Sequence, residues 1–236
     1  MDYKKELEDL INTVIKEDAS DLHISEGRSP SIRVSGFLTP LVKKPAVTKD
    51  NVHGYLKELL TAENMERFLA TKEIDFSYAY GDKARFRGNG YFQQGGVSIA
   101  LRLIPRKIKT GAELNLPSVL DMFTRKQQGF FLVVGPVGQG KTTTLAAMVE
   151  MINSSRPEHI LTIEDPIEYQ YDPKKSIIDQ REVRIDTKDF HTALISMFRE
   201  DIDVVMIGEM RGIDTIATAV TAAETGHLVF STLHTN

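Results

Sequence analysis

The chain has 236 residues, of which 41% are hydrophobic and 26% are charged, and it carries a formal net charge of −4. This composition is ordinary for a folded globular protein and excludes a disordered or collagen-like chain. The charge balance disfavours nucleic-acid or membrane binding by the whole surface, but it does not exclude a local basic groove. Cysteine is absent, which excludes disulfides and cysteine-based metal sites. With no apolar leader and no membrane-length apolar run, we expect a cytoplasmic protein.

Residues 1–103 have the pattern of a small α+β domain. Apolar residues at helical spacing predict a first helix over 7–15, and Thr48 and Thr61 are candidate N-caps of two more helices. Later in this half, the apolar period changes from 3.6 to 2. Alternating runs occur at 74–80, 86–92 and 97–103. They predict an antiparallel meander with one solvent-facing side.

A basic, proline-containing stretch, 104–112, is predicted as a linker, and residues 113–236 follow it as a second domain. Here four largely apolar runs that do not alternate with polar residues are typical of parallel strands covered on both faces: 129–134, 160–163, 204–207 and 228–231. Helical segments are predicted between them. Strands that alternate with helices predict an α/β fold with a parallel sheet.

A phosphate-binding loop lies between the first of these strands and the following helix. Its glycines let backbone N–H groups converge on phosphate oxygens, and the helix N-terminus adds partial positive charge. Lys141 is expected to reach the β- and γ-phosphates and the Thr142 hydroxyl to bind Mg²⁺, with ATP as the nucleotide. A ligand-free glycine-rich turn is the alternative. The predicted binding residues are Gly135, Pro136, Val137, Gly138, Gln139, Gly140, Lys141, Thr142 and Thr143.

Two of the apolar strands run into acidic residues, Glu164 and Glu209. The carboxyl ends of parallel strands line one crevice, so both side chains are expected to face the phosphate-binding loop. Glu209 is a candidate for holding Mg²⁺ directly or through water, together with Thr142, and Glu164 for polarising the attacking water. Either acid could instead be a solvated strand-end residue. The sequence does not decide which of the two acids binds Mg²⁺ and which polarises the water.

Histidines bracket the fourth strand, at positions 227 and 234. No cysteine or further acidic cluster gives them the spacing of zinc ligands. Packed or hydrogen-bonded strand-end histidines are one reading. The other is that His234, at the carboxyl end, contacts the γ-phosphate.

Six basic residues and a single acid, Asp82, lie between positions 81 and 107; the basic residues are Lys83, Arg85, Arg87, Arg102, Arg106 and Lys107. A solvated basic face is one explanation, and delivery of arginine fingers to a nucleotide bound elsewhere is another. Single-stranded nucleic acid stacked on Phe86 and Phe92 is a third. Those aromatics alternate onto the face opposite the arginines, which favours core packing for them.

Taken together, these segments resemble the secretion and pilus motor ATPases, and among them the twitching-motility retraction type. Five ordered motifs carry the resemblance: 19–23, 84–87 with 101–105, 160–168, 208–211, and 221–227 with 234–235. The last three resemble the family's Asp box, Walker B and His box.

The resemblance implies a PAS-like domain followed by a RecA-like P-loop domain that is incomplete at its C-terminus. It also implies a homohexameric ring with nucleotide between subunits, where Arg85, Arg87 and Arg102 approach the phosphates. The implied work is ATP hydrolysis that drives pilus retraction through an inner-membrane platform protein, at the cytoplasmic face of the membrane and without nucleic acid.

Departures from the family pattern occur at Val137, Gln139, Thr142, Ile202 and Gly212, and the chain stops at Asn236, just after the His box. The alternatives are a pilus-assembly or type II secretion ATPase, a hydrolytically silent nucleotide-binding subunit, and a RecA-like nucleic-acid ATPase.

Overall fold

The computed structural model describes residues 2–105, 107–136, 138–210 and 212–233. The chain divides into two compact units, Met1–Ile104 and Pro105–Asn236. Within the described residues, no helix combines the length and the apolar character that crossing a membrane requires.

Unit 1 is built on a six-stranded antiparallel sheet with the strand order β3-β2-β1-β6-β5-β4. Its elements, in chain order, are α1 (Tyr3–Lys16), β1 (Asp21–Ser25), β2 (Ser31–Val34), β3 (Phe37–Pro40), α2 (Lys49–Leu59), α3 (Ala62–Thr71), β4 (Glu73–Tyr80), β5 (Ala84–Gln93) and β6 (Gly96–Ile104).

Local capping sets where the helices of unit 1 begin. The Thr48 hydroxyl accepts a hydrogen bond from the Asn51 backbone N–H, and the Asn51 side chain accepts one from the Thr48 N–H, a reciprocal capping box. Thr61 accepts from the Asn64 N–H in the same way. Both predicted N-caps are confirmed.

The predicted meander is also confirmed, because β5 pairs antiparallel with both β4 and β6. Its inward residues join the core that α1, α2 and α3 cover, and Phe86 within it is 0% exposed. Phe92 is partly buried and stacks on Phe68 with ring centroids 5.0 Å apart. Phe86 and Phe92 therefore belong to the core side of β5, and Phe86 has no surface on which to stack a nucleic-acid base.

Unit 2 is built on a five-stranded parallel sheet with the strand order β7-β11-β10-β8-β9. Its elements are α4 (Leu120–Thr124), β7 (Gly129–Val134), α5 (Lys141–Ser155), β8 (His159–Glu164), β9 (Ile177–Glu182), α6 (Phe190–Met197), β10 (Val204–Ile207), α7 (Ile213–Glu224) and β11 (Leu228–Leu233).

Apolar side chains cover both faces of this sheet, as the uninterrupted strand patterns predict. Alternate residues point to opposite faces. Ile160 and Val204 pack on the α5 side, whereas Leu161 and Val205 pack with α6 and α7. The predicted fold class, an α+β part followed by an α/β part with a parallel sheet, is confirmed.

Candidate nucleotide-hydrolysis site

The parallel register brings the carboxyl ends of four strands to one edge of the sheet. Val134 of β7 is level with Leu233 of β11, and Ile207 of β10 is level with both Ser231 and Ile163. The segments that follow these strands therefore leave the sheet on the same side. That edge holds the phosphate-binding loop, Glu164 and Glu209.

The phosphate-binding loop joins β7 to α5. Gly138 and Gly140 have φ angles of +79° and +80°, in the left-handed region that residues with a Cβ rarely adopt. Nothing lies within 4 Å of a Cβ placed on either glycine, so backbone conformation rather than space requires glycine at both positions. Val137, a predicted binding residue, lies outside the described residues.

Lys141 starts α5 and is only 8% exposed. Its ammonium group donates to the carbonyls of Gly135, at 2.8 Å, and Pro136, at 2.7 Å, so it lies across its own loop. The side chains of Thr142 and Thr143 follow in the first turn and are both half-buried. A cation held over a loop that leads into a helix N-terminus suits a polyphosphate.

Glu164 ends β8 and is 3% exposed. It shares the α5 face of the sheet with Thr162, whose hydroxyl donates to Glu164 Oε1 at 2.6 Å. The backbone N–H of Glu168 donates to Oε2 at 3.2 Å, and the Gln180 amide approaches Oε1 at 3.4 Å.

Burial raises the pKa of Glu164 from 4.5 to about 7, although the hydrogen bonds from Thr162, Glu168 and Gln180 lower it. Removing the carboxyl from water penalises its charged form. A carboxyl that titrates near neutral pH suits a group that must take up and release a proton.

Glu209 lies two residues beyond β10 and is half-buried. The Gly208 segment before it is tied to both neighbouring strands, because the Gly208 N–H donates to the Ile163 carbonyl and the Thr232 hydroxyl donates to the Gly208 carbonyl. No group of three or more metal-ligating side chains occurs among the described residues. Thr142 and Glu209 offer one hydroxyl and one carboxylate, and oxygen ligands of this kind are the ones that Mg²⁺ takes together with water and nucleotide oxygens.

The predicted arginines lie in unit 1, where they line the solvent face of the meander. Arg87 of β5 is directly opposite Arg102 of β6. Arg102 is anchored, since its Nε donates to Asp21 Oδ1 at 2.9 Å, and Arg33 lies 3.8 Å from the same carboxylate. Burial raises the pKa of Asp21, but hydrogen bonds from Ser20 and Arg102 outweigh it and the pKa is lowered. Arg85 is half-buried and follows Ala84 at the start of β5.

Of the two histidines that bracket β11, His227 is held by contacts within the fold. Its Nδ1 lies 3.0 Å from the Ala222 carbonyl at the end of α7, and its ring packs edge-on against Phe198. His234, the candidate for contacting the γ-phosphate, lies outside the described residues.

Three residues of the network around Glu164 were not predicted: Thr162 and Gln180, which contact its carboxyl, and Tyr169, which contacts Gln180. A polar residue within an otherwise apolar strand was the available signal for Thr162, which is completely buried. Tyr169 and Gln180 carry no such signal. A cavity of about 680 Å³ lies along the C-terminal half of α5, and none of the described site residues lines it.

The family model described as "Type II/IV secretion system protein" matches residues 3–236. The type IV pilus retraction ATPase PilT of Pseudomonas aeruginosa is 43% identical over 98% of this chain and 67% of its own length. The twitching motility protein of Neisseria gonorrhoeae is 43% identical over 88% of the chain and 55% of its own length.

Among solved structures, the crystal structure of the pilus retraction motor PilT with bound ADP superimposes with a TM-score of 0.90 at 42% identity, over 96% of this chain and 66% of that one. The DotB ATPase of Legionella pneumophila gives a TM-score of 0.83 at 27% identity, over 98% and 65% of the two chains. The chain thus spans about two thirds or less of these relatives. The predicted resemblance is confirmed: the chain belongs to the Type II/IV secretion system protein family, as a P-loop NTPase of the PilT type.

Proposed function

We propose that the chain hydrolyses ATP as part of a pilus retraction motor of the twitching-motility type. One observation carries the proposed hydrolysis: Glu164, a buried carboxyl whose pKa is raised to about 7, lies at the same end of the parallel strands as the phosphate-binding loop. A carboxyl that can accept a proton near neutral pH supports hydrolysis rather than nucleotide binding alone.

In this function each residue has a separate task. The backbone of the loop and Lys141 hold the phosphates, and Thr142 and Glu209 hold Mg²⁺. ATP with bound Mg²⁺ supplies the phosphoanhydride bond whose cleavage drives the cycle. Glu164 accepts a proton from the attacking water and is therefore active in its ionised form, above its pKa of about 7.

Arg85, Arg87 and Arg102 of one subunit are proposed to complete the phosphate site of the next subunit in a homohexameric ring. Arg87 lies directly opposite Arg102, and although Asp21 already pairs with the Arg102 Nε, the Arg102 side chain is 68% exposed, so the two side chains together offer donors and positive charge to an anionic ligand. His234 is proposed to contact the γ-phosphate from the end of β11.

The retraction role rests on the names of the relatives. The two relatives at 43% identity are named for pilus retraction and twitching motility, whereas type II secretion relatives are 34% and 35% identical. An inner-membrane platform protein is the proposed partner, which places the chain at the cytoplasmic face of the membrane. Residues 1–103 and 113–236 are proposed as the PAS-like and RecA-like domains, joined by the linker 104–112.

Hydrolysis is tested with Glu164→Gln and Glu209→Gln at saturating Mg-ATP. We expect Glu164→Gln to bind nucleotide but to lose turnover at every Mg²⁺ concentration. Glu209→Gln should regain part of its turnover as Mg²⁺ is raised, because the loss lies in metal affinity. Turnover unaffected by both substitutions contradicts the proposal.

The ring is tested by measuring the rate per subunit against protein concentration, with particle size followed in parallel. Arginines that act across an interface predict a rate that rises with assembly, and Arg87→Ala should flatten that rise. A constant rate per subunit across the assembly transition contradicts the arginine roles.

A further inference from the structure

A chain of hydrogen bonds runs from the first turn of α5 to the Glu164 carboxyl. The Thr143 and Tyr169 hydroxyls are 2.9 Å apart, which joins α5 to the loop that follows β8. The backbone of that loop meets the Gln180 side chain, which projects from β9 opposite Thr162. Thr143 is next to the residue expected to bind Mg²⁺, so this chain connects the phosphate-binding helix to the proposed base.

Two hydrogen bonds fix the orientation of the Gln180 amide. Its Nε2 donates to the Tyr169 carbonyl at 2.8 Å, and its Oε1 accepts from the Tyr171 N–H at 2.9 Å. A flipped amide would face donor to donor and acceptor to acceptor at these two positions. The observed orientation also leaves an N–H of Nε2 facing Glu164 Oε1 at 3.4 Å.

The same side chain holds the loop residue whose backbone contacts Glu164. Glu168 directly precedes Tyr169, and its N–H donates to Glu164 Oε2 at 3.2 Å. Gln180 thus acts on one carboxyl oxygen directly and on the other through the loop. The direct contact is long and therefore weak, so the larger effect is on the loop.

We propose that Gln180 and Tyr169 are positioning residues, which hold the Glu164 carboxyl in place relative to the first turn of the phosphate-binding helix. Neither residue needs to touch the nucleotide. The inference rests on the proposed role of Glu164 as the base, but the geometry it describes belongs to the chain alone.

The pKa of Glu164 provides a readout that does not depend on hydrolysis. Gln180, Thr162 and the Glu168 N–H favour the ionised carboxyl, while burial and the Glu168 charge oppose it. Replacing Gln180 with methionine keeps the length of the side chain but removes its donor and frees the loop. The pKa of Glu164 should then rise by about half a pH unit or more.

The closing experiment titrates the chain with ¹³C-labelled glutamate carboxyls by NMR and compares Gln180→Met with the parent. Gln128→Met makes the same chemical change at an exposed position before β7 and serves as the control. We expect an upward shift of the Glu164 midpoint in Gln180→Met and none in Gln128→Met. Equal midpoints in all three chains overturn the role of Gln180.

The link to α5 is tested by a double-mutant cycle with Tyr169→Phe and Thr143→Val, read on the same midpoint. Each change removes one partner of a single hydrogen bond, so the double variant should shift the midpoint no further than either single variant. Additive shifts, or no shift at all, overturn the role of Tyr169.

Hydrolysis adds a second readout. Gln180→Met should lower kcat about tenfold with less than a twofold change in KM, and it should move the acidic limb of the kcat profile upward by the NMR shift. An upward NMR shift without any turnover in the parent contradicts the proposed function but leaves the positioning inference standing. Turnover in the parent, together with an unmoved Glu164 midpoint in Gln180→Met, overturns the positioning inference but leaves the proposed function standing.

Discussion

Replacing Glu164 with glutamine should make unit 2 more stable at alkaline pH and abolish turnover at the same time. The carboxyl is buried beneath the edge of the sheet, and its pKa is raised from 4.5 to about 7. Holding it ionised in the folded state therefore costs free energy. The neutral amide of glutamine avoids that cost and can still accept the Thr162 hydrogen bond.

The magnitude follows from the proton affinities of the two states. Below pH 4.5 the folded and the unfolded chains both hold the proton, so the cost of ionisation is absent. Between pH 4.5 and 7 only the folded chain is protonated, and stability falls as pH rises. A tenfold change in proton affinity is worth about 1.4 kcal/mol. The free energy of unfolding of Glu164→Gln, relative to that of the parent, should therefore increase by about 2 to 3 kcal/mol from pH 5 to pH 8.

Urea unfolding at pH 5 and pH 8 measures this difference, with amide hydrogen exchange in β8 reporting on unit 2. Comparing one variant at two pH values cancels any pH-independent effect of the substitution. Glu224→Gln, at the exposed end of α7, is the matched control and should show no comparable pH dependence. If the stability difference between Glu164→Gln and the parent is the same at both pH values, ionisation of Glu164 carries no burial cost.

Three further outcomes are expected. Gly140→Ala forces a Cβ into a φ of +80°, so it should lower the free energy of thermal unfolding by about 1–2 kcal/mol and weaken nucleotide binding measured by calorimetry. Gly212→Ala, where φ is −109°, should be tolerated. A double-mutant cycle on Asp21 and Arg102 should give a coupling below about 1 kcal/mol, because the Arg102 side chain is 68% exposed, and a larger value would mean that the pair is structural. Phe86→Ala should destabilise unit 1 by about 3–5 kcal/mol in denaturant unfolding, whereas a base-stacking role would leave stability unchanged.

The sequence was informative wherever a residue had to satisfy a local rule. Uninterrupted apolar runs predict β7, β8, β10 and β11, because a parallel strand covered on both faces has no polar side. The strand β9 escapes that rule, since it reads Ile-Ile-Asp-Gln-Arg-Glu and Ile177 is 64% exposed. It lies at the edge of the sheet, where one neighbour is enough. The strand β3 and the helix α4 were missed as well, and α6 was predicted only as a helical segment without bounds between β8 and β10.

The same distinction between local and long-range signals applies to the candidate site. The phosphate-binding loop and the strand-end acids follow from local spacing, and the structure places the described ones on one sheet edge. Contacts between distant positions do not follow from local spacing: in unit 1 Arg102 meets Asp21, and in unit 2 Gln180 meets the loop after β8, only through strand register. Register depends on the packing of whole elements, so no local pattern could predict these pairs.

The measurement that bears most directly on the central claim is single-turnover release of phosphate from Mg-ATP by the parent chain and by Glu164→Gln, at equal nucleotide occupancy and at pH 6 and pH 8. We expect faster release by the parent at pH 8 than at pH 6, because more of Glu164 is ionised, and no release above background by Glu164→Gln at either pH. Release at the parent's rate by a fully occupied Glu164→Gln chain would contradict that claim.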